Sequence, residues 1–387
     1  MNLIDTTKEL ERVCDILKQQ KEIAIDSEFI REKTYYPIPC LIQVACKEDA
    51  FLLDPLSEKM DLSPFFSILQ DEKILKIFHS GRQDIEILYN LSGAVPISVF
   101  DTQIAAEACG LGENVSYENL VRACCELELD KTCRLTNWQL RPLTEEQMQY
   151  ALGDVTHLLT CYAKLSDYLK EHKRESWVAE EMADLVDITH YQIIPENAWQ
   201  RIRHNSHSLA FLNALKALAC WREKRAISQN TTRQNIMKDE MLINIATAFP
   251  KNMAEIKQVR GMRSDIVKSI LVKEVIEILS NLNESDFDKS LSKTDREKEV
   301  TLSPTQQSLY EILKLLLKIK SNEHGVIPRL ITTEKKLREY VKNPKIIKGL
   351  QASWQYEIFW QSADMLRHGK LGLMYNPNTR KINIKEF

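Results

Sequence analysis

The chain has 387 residues, 44% hydrophobic and 28% charged, an ordinary globular composition with more length than one core needs, so two or three domains are expected. It holds no run of 18 apolar residues, which excludes a membrane-spanning helix, and its first residues lack the apolar core of a signal peptide. Net charge is −3, but residues 1–170 carry −11 and residues 171–387 carry +8, so the first part is suited to cations and the second to a polyanion.

The opening stretch to residue 22 alternates charged and apolar residues as an amphipathic helix does. "KEIAIDSEF" then reads as a strand, and "PCLIQVACKEDAFLLDP" as two more around a polar turn at Lys47–Asp49. "KILKIFHS" is a short strand, "GRQDIEILYNLSG" a helix ending at Gly93, and "PISVFD" a strand. "DTQIAAEACG" is a helix capped by Asp101 or Thr102, and "LTEEQMQYALGDVTHLLTCYAKLSDYLKE" a long helix with Thr144 at its cap. Strands interleaved with helices predict an α/β layer fold with a mixed sheet.

Beyond residue 175 the pattern is helical with no strand expected. Residues 281–302 are polar and read as a linker between two helical sets of similar length and order, taken as two copies of one small module. The expected boundaries are 1–175 for the α/β domain, 176–206 for a connection, 207–284 for the first module, 285–301 for the linker and 302–378 for the second. The nine cysteines are scattered and never form C-x-x-C, which argues against a structural zinc site or a disulfide framework and for a reducing, cytoplasmic setting.

Asp26 and Glu28 lie two apart in an otherwise apolar strand, so their side chains share a face and repel. A lone D-x-E is most often a solvated edge; the alternative is a divalent cation, which removes the repulsion. Asp84 follows just inside a helix, where it can also be a capping acid. Asp154 interrupts an apolar helical face, with Tyr150 one turn before it. Each residue alone has an ordinary structural reading; the ordered set is what carries weight.

That set resembles the DEDD superfamily of 3′→5′ exonucleases in its tyrosine branch, and within it the bacterial ribonuclease D family. The resemblance rests on "IAIDSEFIREKTYYPIPCLIQVA", "KIFHSGRQDIEIL", "VFDTQIAAEACG", "LTNWQLRPLTEEQMQYALGDVTHLL" and "YQIIPENAWQRI", and extends to two helical modules similar to HRDC domains. It implies a ribonuclease H-like α/β exonuclease domain, a mixed sheet flanked by helices, followed by two small all-α HRDC-like domains. It implies Asp26, Glu28, Asp84 and Asp154 as ligands of two divalent ions, Mg²⁺ or Mn²⁺, and Tyr150 as the residue that orients or deprotonates the attacking water. Gln149 stands where the histidine branch has its base, which favours the tyrosine branch.

Nucleic acid is the partner that resemblance and charge together imply: RNA, with tRNA precursors entering by their 3′ ends. Arg31 and Tyr35 are candidates for holding the 3′ end, and Arg222, Lys224, Arg225 and Arg233, with Arg260, Arg263 and Lys268, for gripping phosphates. The bland reading of these cations is a solubilised helix surface. No P-loop or G-x-G-x-x-G is present, so no nucleotide cofactor is expected, and no heptad seam argues against a monomer. The leading reading is a metal-dependent 3′→5′ exoribonuclease releasing 5′-monophosphates. The alternatives are a DNA exonuclease of the same superfamily and a catalytically silent RNA-binding protein.

Overall fold

The apolar run Ile23–Ile25 is completely buried, which is what a central strand needs when both faces of its sheet are covered. A computed structural model describes residues 3–129, 136–206, 208–262, 270–293 and 302–387. Strands β1 (Leu3–Ile4), β2 (Glu22–Ile30), β3 (Ile38–Ala45), β4 (Ala50–Leu53), β5 (Leu75–Phe78) and β6 (Val99–Asp101) form one sheet in the order β1-β4-β3-β2-β5-β6. β3 and β4 are an antiparallel hairpin pairing Ile42 with Leu53, while β2 with β5, and β5 with β6, are parallel. The sheet is therefore mixed.

Helices α1 (Thr7–Leu17), α2 (Ser63–Leu69), α3 (Arg82–Ser92), α4 (Thr102–Ala108), α5 (Tyr117–Cys125), α6 (Glu145–Thr156), α7 (Leu158–Glu171) and α8 (Glu175–Leu185) accompany it. The long helix expected over residues 143–171 is two helices: α6 ends at Thr156, and His157 joins it to α7. α1 shows the usual local logic. Thr6 caps it by accepting from the Glu9 N–H, and Leu10, Val13, Cys14 and Leu17 form its buried stripe.

The chain divides into two compact units that do not follow the expected domain order. The second unit takes Phe29–Ile38 and Thr189–Arg296. Its helices are α9 (Leu209–Ser228), α10 (Arg233–Ile236), α11 (Asp239–Ala248), α12 (Met253–Ile256) and α13 (Ile270–Asn281), packed around Leu215, Leu218, Leu242, Ile245, Val272 and Val275. The connecting segment contributes Trp199 and Ile202 to that core. Part of the expected linker forms short 3₁₀ turns at Glu284–Asp286 and Lys289–Lys293, and its remainder from 294 to 301 lies outside the described residues.

The later helices, α14 (Pro304–His324), α15 (Pro328–Ile331), α16 (Glu334–Lys342) and α17 (Gln361–Arg367), belong to the first unit. Leu313, Leu316, Tyr340, Phe359 and Trp360 share one core with Ala105, Leu120, Val121, Cys161 and Leu165 of α4, α5 and α7. Buried Glu107 accepts from Arg329 at 2.6 Å, and Arg174 donates to the backbone oxygens of Ala108 and His324 at 2.8 and 2.6 Å. The expectation of no strand in this half is corrected by the antiparallel pair β7 (Leu371–Asn376) and β8 (Lys381–Glu386). Its signal is in the sequence: "KINIK" alternates with period two after the turn residues "NPNT".

Candidate active site

Asp26 and Glu28 project from β2, half-buried, with the buried Ser27 between them. Asp84 reaches the same place by a more elaborate route. After β5 the chain turns sharply through Ser80, at φ 59°, and Gly81, where a β-carbon would lie 2.5 Å from that of Phe78. The Asp101 carboxylate accepts from the N–H groups of Ser80 and Gly81 at 3.1 and 2.8 Å and also caps α4 through the Gln103 N–H at 2.8 Å. That clamp fixes the start of α3, and Asp84 sits in its first turn, where the helix dipole favours a negative charge. The Ser27 hydroxyl donates to Asp84 Oδ1 at 2.5 Å. Ser27 carries no signal in sequence beyond its place inside D-x-E.

Tyr150 and Asp154 come from α6, whose start is fixed by a reciprocal capping box between Thr144 and Gln147. The segment before it is anchored by Arg141. Its guanidinium makes two bonds to Asp54, at 2.6 and 2.7 Å, and donates to the Cys40 and Trp138 oxygens at 2.7 and 2.8 Å. Trp138, buried, lies with its ring 6.1 Å from that of Tyr150. From α5, the Tyr117 hydroxyl donates to the Gly153 oxygen at 2.9 Å, next to Asp154.

These elements bring Asp26, Glu28, Tyr150 and Asp154 to the wall of one cleft of about 480 Å³. Asp84 stands behind it, 6% exposed, and the Asp26 carboxyl feels it directly. Burial pushes the Asp26 carboxyl well above the usual carboxylate range, and the charges of Asp84, Asp154 and Glu28, in that order, push it further. Burial likewise raises Asp84 to about 6, opposed by the Ser27 hydrogen bond. His79, Ser80, Gln103, Asn114, Ser116, Tyr117, Glu118 and Leu158 complete the lining. Gln43 of β3 is wholly buried. Burial lowers the His79 pKa below its ordinary value of 6.5, so the imidazole is neutral at pH 7, between Thr102 Oγ1 at 2.9 Å and the Val115 oxygen at 3.0 Å.

Four carboxylates, three of which raise the pKa of Asp26, are hard oxygen donors that fit divalent cations by their chemistry. Among the described residues no three acids, imidazoles or thiols stand at metal-holding spacing.

The expected phosphate-binding residues lie in the second unit, and two are corrected. Arg222 is 3% exposed; it donates to the Met237 oxygen at 2.8 Å and to Asp239 at 2.6 Å and holds α9 to the start of α11. It falls on the buried stripe Leu215, Leu218, Ala219 and Ala226 at helical spacing, a signal its charge masked. Tyr35 is 8% exposed; its hydroxyl donates to buried Glu223, and Arg233 makes a bidentate pair with the same carboxylate at 2.6 Å for both bonds. Arg225 pairs with Glu274 at 2.6 Å. Lys224 pairs with Glu196 at 2.9 Å, both more than half exposed, and Arg31 is exposed. Arg263 and Lys268 lie outside the described residues.

A family model described as 3′-5′ exonuclease matches residues 1–170, and an HRDC domain model matches residues 211–279. The ribonuclease D of Bartonella henselae is 38% identical over 388 residues, covering 100% of this chain and 94% of its own. The chain belongs to the ribonuclease D family. The ribonuclease D of Sphingobium indicum is likewise 38% identical over 95% of each chain. The solved Escherichia coli RNase D, described as an exoribonuclease involved in structured RNA processing, is 26% identical with a TM-score of 0.78, over 95% of this chain and 99% of that one. The chain is a 3′-5′ exoribonuclease built on an exonuclease domain with a mixed sheet and a helical HRDC domain. Among its described residues no helix is long and apolar enough to cross a membrane.

Proposed function

We propose that the cleft removes 3′ trailer nucleotides from tRNA precursors and other small structured RNAs in the cytoplasm, one at a time, as 5′-monophosphates. The observation that carries this reading is the convergence of Asp26, Glu28, Asp154 and Tyr150 on one cleft with Asp84 behind them. Asp26, Glu28, Asp84 and Asp154 hold two divalent cations, Mg²⁺ or Mn²⁺. When bound, such ions supply charge neutralisation at the phosphate and a lowered pKa for the attacking water. Tyr150 orients that water and accepts or relays its proton. Ser27 keeps the Asp84 carboxylate in one orientation, as outer-shell partners of metal ligands do.

The RNA body is held through its phosphates by the second unit. Its exposed cations, Arg31, Lys224, Lys238 and Arg260, suit that role, because a surface ion pair such as Lys224–Glu196 is worth little and exchanges readily for a phosphate. Residues 302–378 act as a second HRDC-like module, and the enzyme works as a monomer without a nucleotide cofactor. The order of helices in the two sets, about 20 residues, then four, then nine or ten, supports common ancestry for them.

The test is a gel assay on 5′-labelled tRNA bearing a short 3′ extension, with Mg²⁺ or EDTA, beside a matched DNA strand. A ladder shortening from the 3′ end only with Mg²⁺, faster on RNA, is the expected result. Equal or faster cleavage of the DNA strand would overturn the substrate class.

A further inference from the structure

Four thiols from three helices meet behind the cleft. Cys109 follows α4, Cys124 and Cys125 close α5, and Cys161 lies one turn into α7. Cys125 Sγ stands 3.9 Å from Cys161 Sγ. Cys161 is completely buried and Cys124 is 5% exposed, whereas Cys109 and Cys125 are half-buried, and Cys125 is the half-buried thiol that stands against Cys161. Adjacent helical residues project about 100° apart, so Cys124 and Cys125 diverge, and Cys161 is the thiol within reach of both. Among the described residues no three such ligands stand at metal-holding spacing, which makes the cluster a poor metal site.

We propose that Cys125 and Cys161 are a modification site: a dithiol that hydrogen peroxide closes to a disulfide between α5 and α7. The Cys125 sulfur attacks one peroxide oxygen, the O–O bond breaks, and a sulfenic acid and one water form. The Cys161 sulfur then attacks the sulfenic sulfur, the S–O bond breaks, and a second water leaves. Two thiols lose two electrons and one peroxide gains them. The sulfurs must approach by roughly 2 Å to reach bonding distance. Contact with neighbouring thiols also perturbs the cluster's acidity: the hydrogen bond to Cys161 lowers Cys124 to about 7. The inference stands on the thiol geometry and is independent of the reaction at the cleft.

The experiment treats the folded full-length chain with hydrogen peroxide, alkylates the remaining thiols, and maps disulfide-linked peptides by mass spectrometry. A reductant-reversible link to Cys161 is expected, lost in Cys125→Ser and kept in Cys124→Ser, with both variants melting within a few degrees of the parent. Oxidation of half-buried Cys220 with no link to Cys161 would overturn the proposal. So would a link kept in Cys125→Ser and lost in Cys124→Ser, which would assign the bond to Cys124.

Discussion

The Ser27 hydroxyl and the Asp84 carboxylate, 57 residues apart in sequence, are joined by a hydrogen bond of 2.5 Å. It ties β2 to the first turn of α3 and leaves Asp84 one preferred orientation. Ser27→Ala should lower apparent Mg²⁺ affinity by about 10- to 100-fold, with a partial return of rate at high Mg²⁺. Titrating Mg²⁺ in the exonuclease assay checks this; an unchanged midpoint would remove Ser27 from the positioning role.

Asp26 is crowded by burial and by three other carboxylates. Asp26→Asn should reduce cleavage by more than about 100-fold while RNA binding persists, since a ligand matters more than its outer-shell partner. In EDTA the same variant should melt higher than the parent at pH 7.5, because a folded carboxyl titrating above its unfolded value costs stability once ionised. Calorimetry in EDTA and a native-gel shift read the two effects separately.

Tyr150→Phe keeps the ring against Trp138 and removes only the hydroxyl. A fall in kcat on the order of 100-fold with KM little changed is expected if that hydroxyl handles the water's proton. A change in KM alone would make Tyr150 a substrate-stacking residue.

In the second unit, Arg233→Ala leaves the Glu223 carboxylate, 2% exposed, without its bidentate partner. Because the Arg233 side chain is itself 39% exposed and Tyr35 still donates to Glu223, the loss is on the order of 1–3 kcal/mol, and adding Glu223→Gln should recover part of it. Denaturant unfolding of the full chain is the measurement. Weakened RNA binding by Arg233→Ala therefore has to be read beside its stability.

Lys76 is wholly buried, and its ammonium donates to the Asp71 and Ile74 oxygens at 2.7 Å each. Burial lowers it to about 8. An unfolded lysine titrates near 10.4, so between roughly pH 8 and 10.4 the unfolded chain holds the proton more firmly and stability rises with pH. Lys76→Met lacks this term. The parent should gain on the variant by on the order of 1–3 kcal/mol across that window, as unfolding at pH 7.5 and 10.5 would show.

What the sequence disclosed was what is written locally. The D-x-E strand, the Thr144 cap, the Asp101 cap and the Y-x-x-x-D turn each need only neighbouring residues, and each stands where the pattern placed it. Contacts over long separations left no such trace. Ser27 looks like filler until α3 is brought beside it, and Arg222 looks like a phosphate ligand until α9 is packed. The shared core of α5, α7 and α14 is equally hidden, because an amphipathic helix shows that it has a buried face but not what covers it.

That shared core changes what it means to take the enzyme apart. The chain leaves the first unit at Ile188 and re-enters it at Glu297, so most of the HRDC-bearing unit is an insertion rather than an appendage. A stop codon near residue 207, the ordinary way to isolate an N-terminal catalytic domain, would strip Leu313, Tyr340, Phe359 and Trp360 from the helices behind the cleft and leave them wet. Removing the inserted segment while keeping both parts of the first unit is the dissection that follows from this architecture. Evolution has the same freedom: an inserted unit can be lengthened, exchanged or lost while the two halves of its host stay folded on each other.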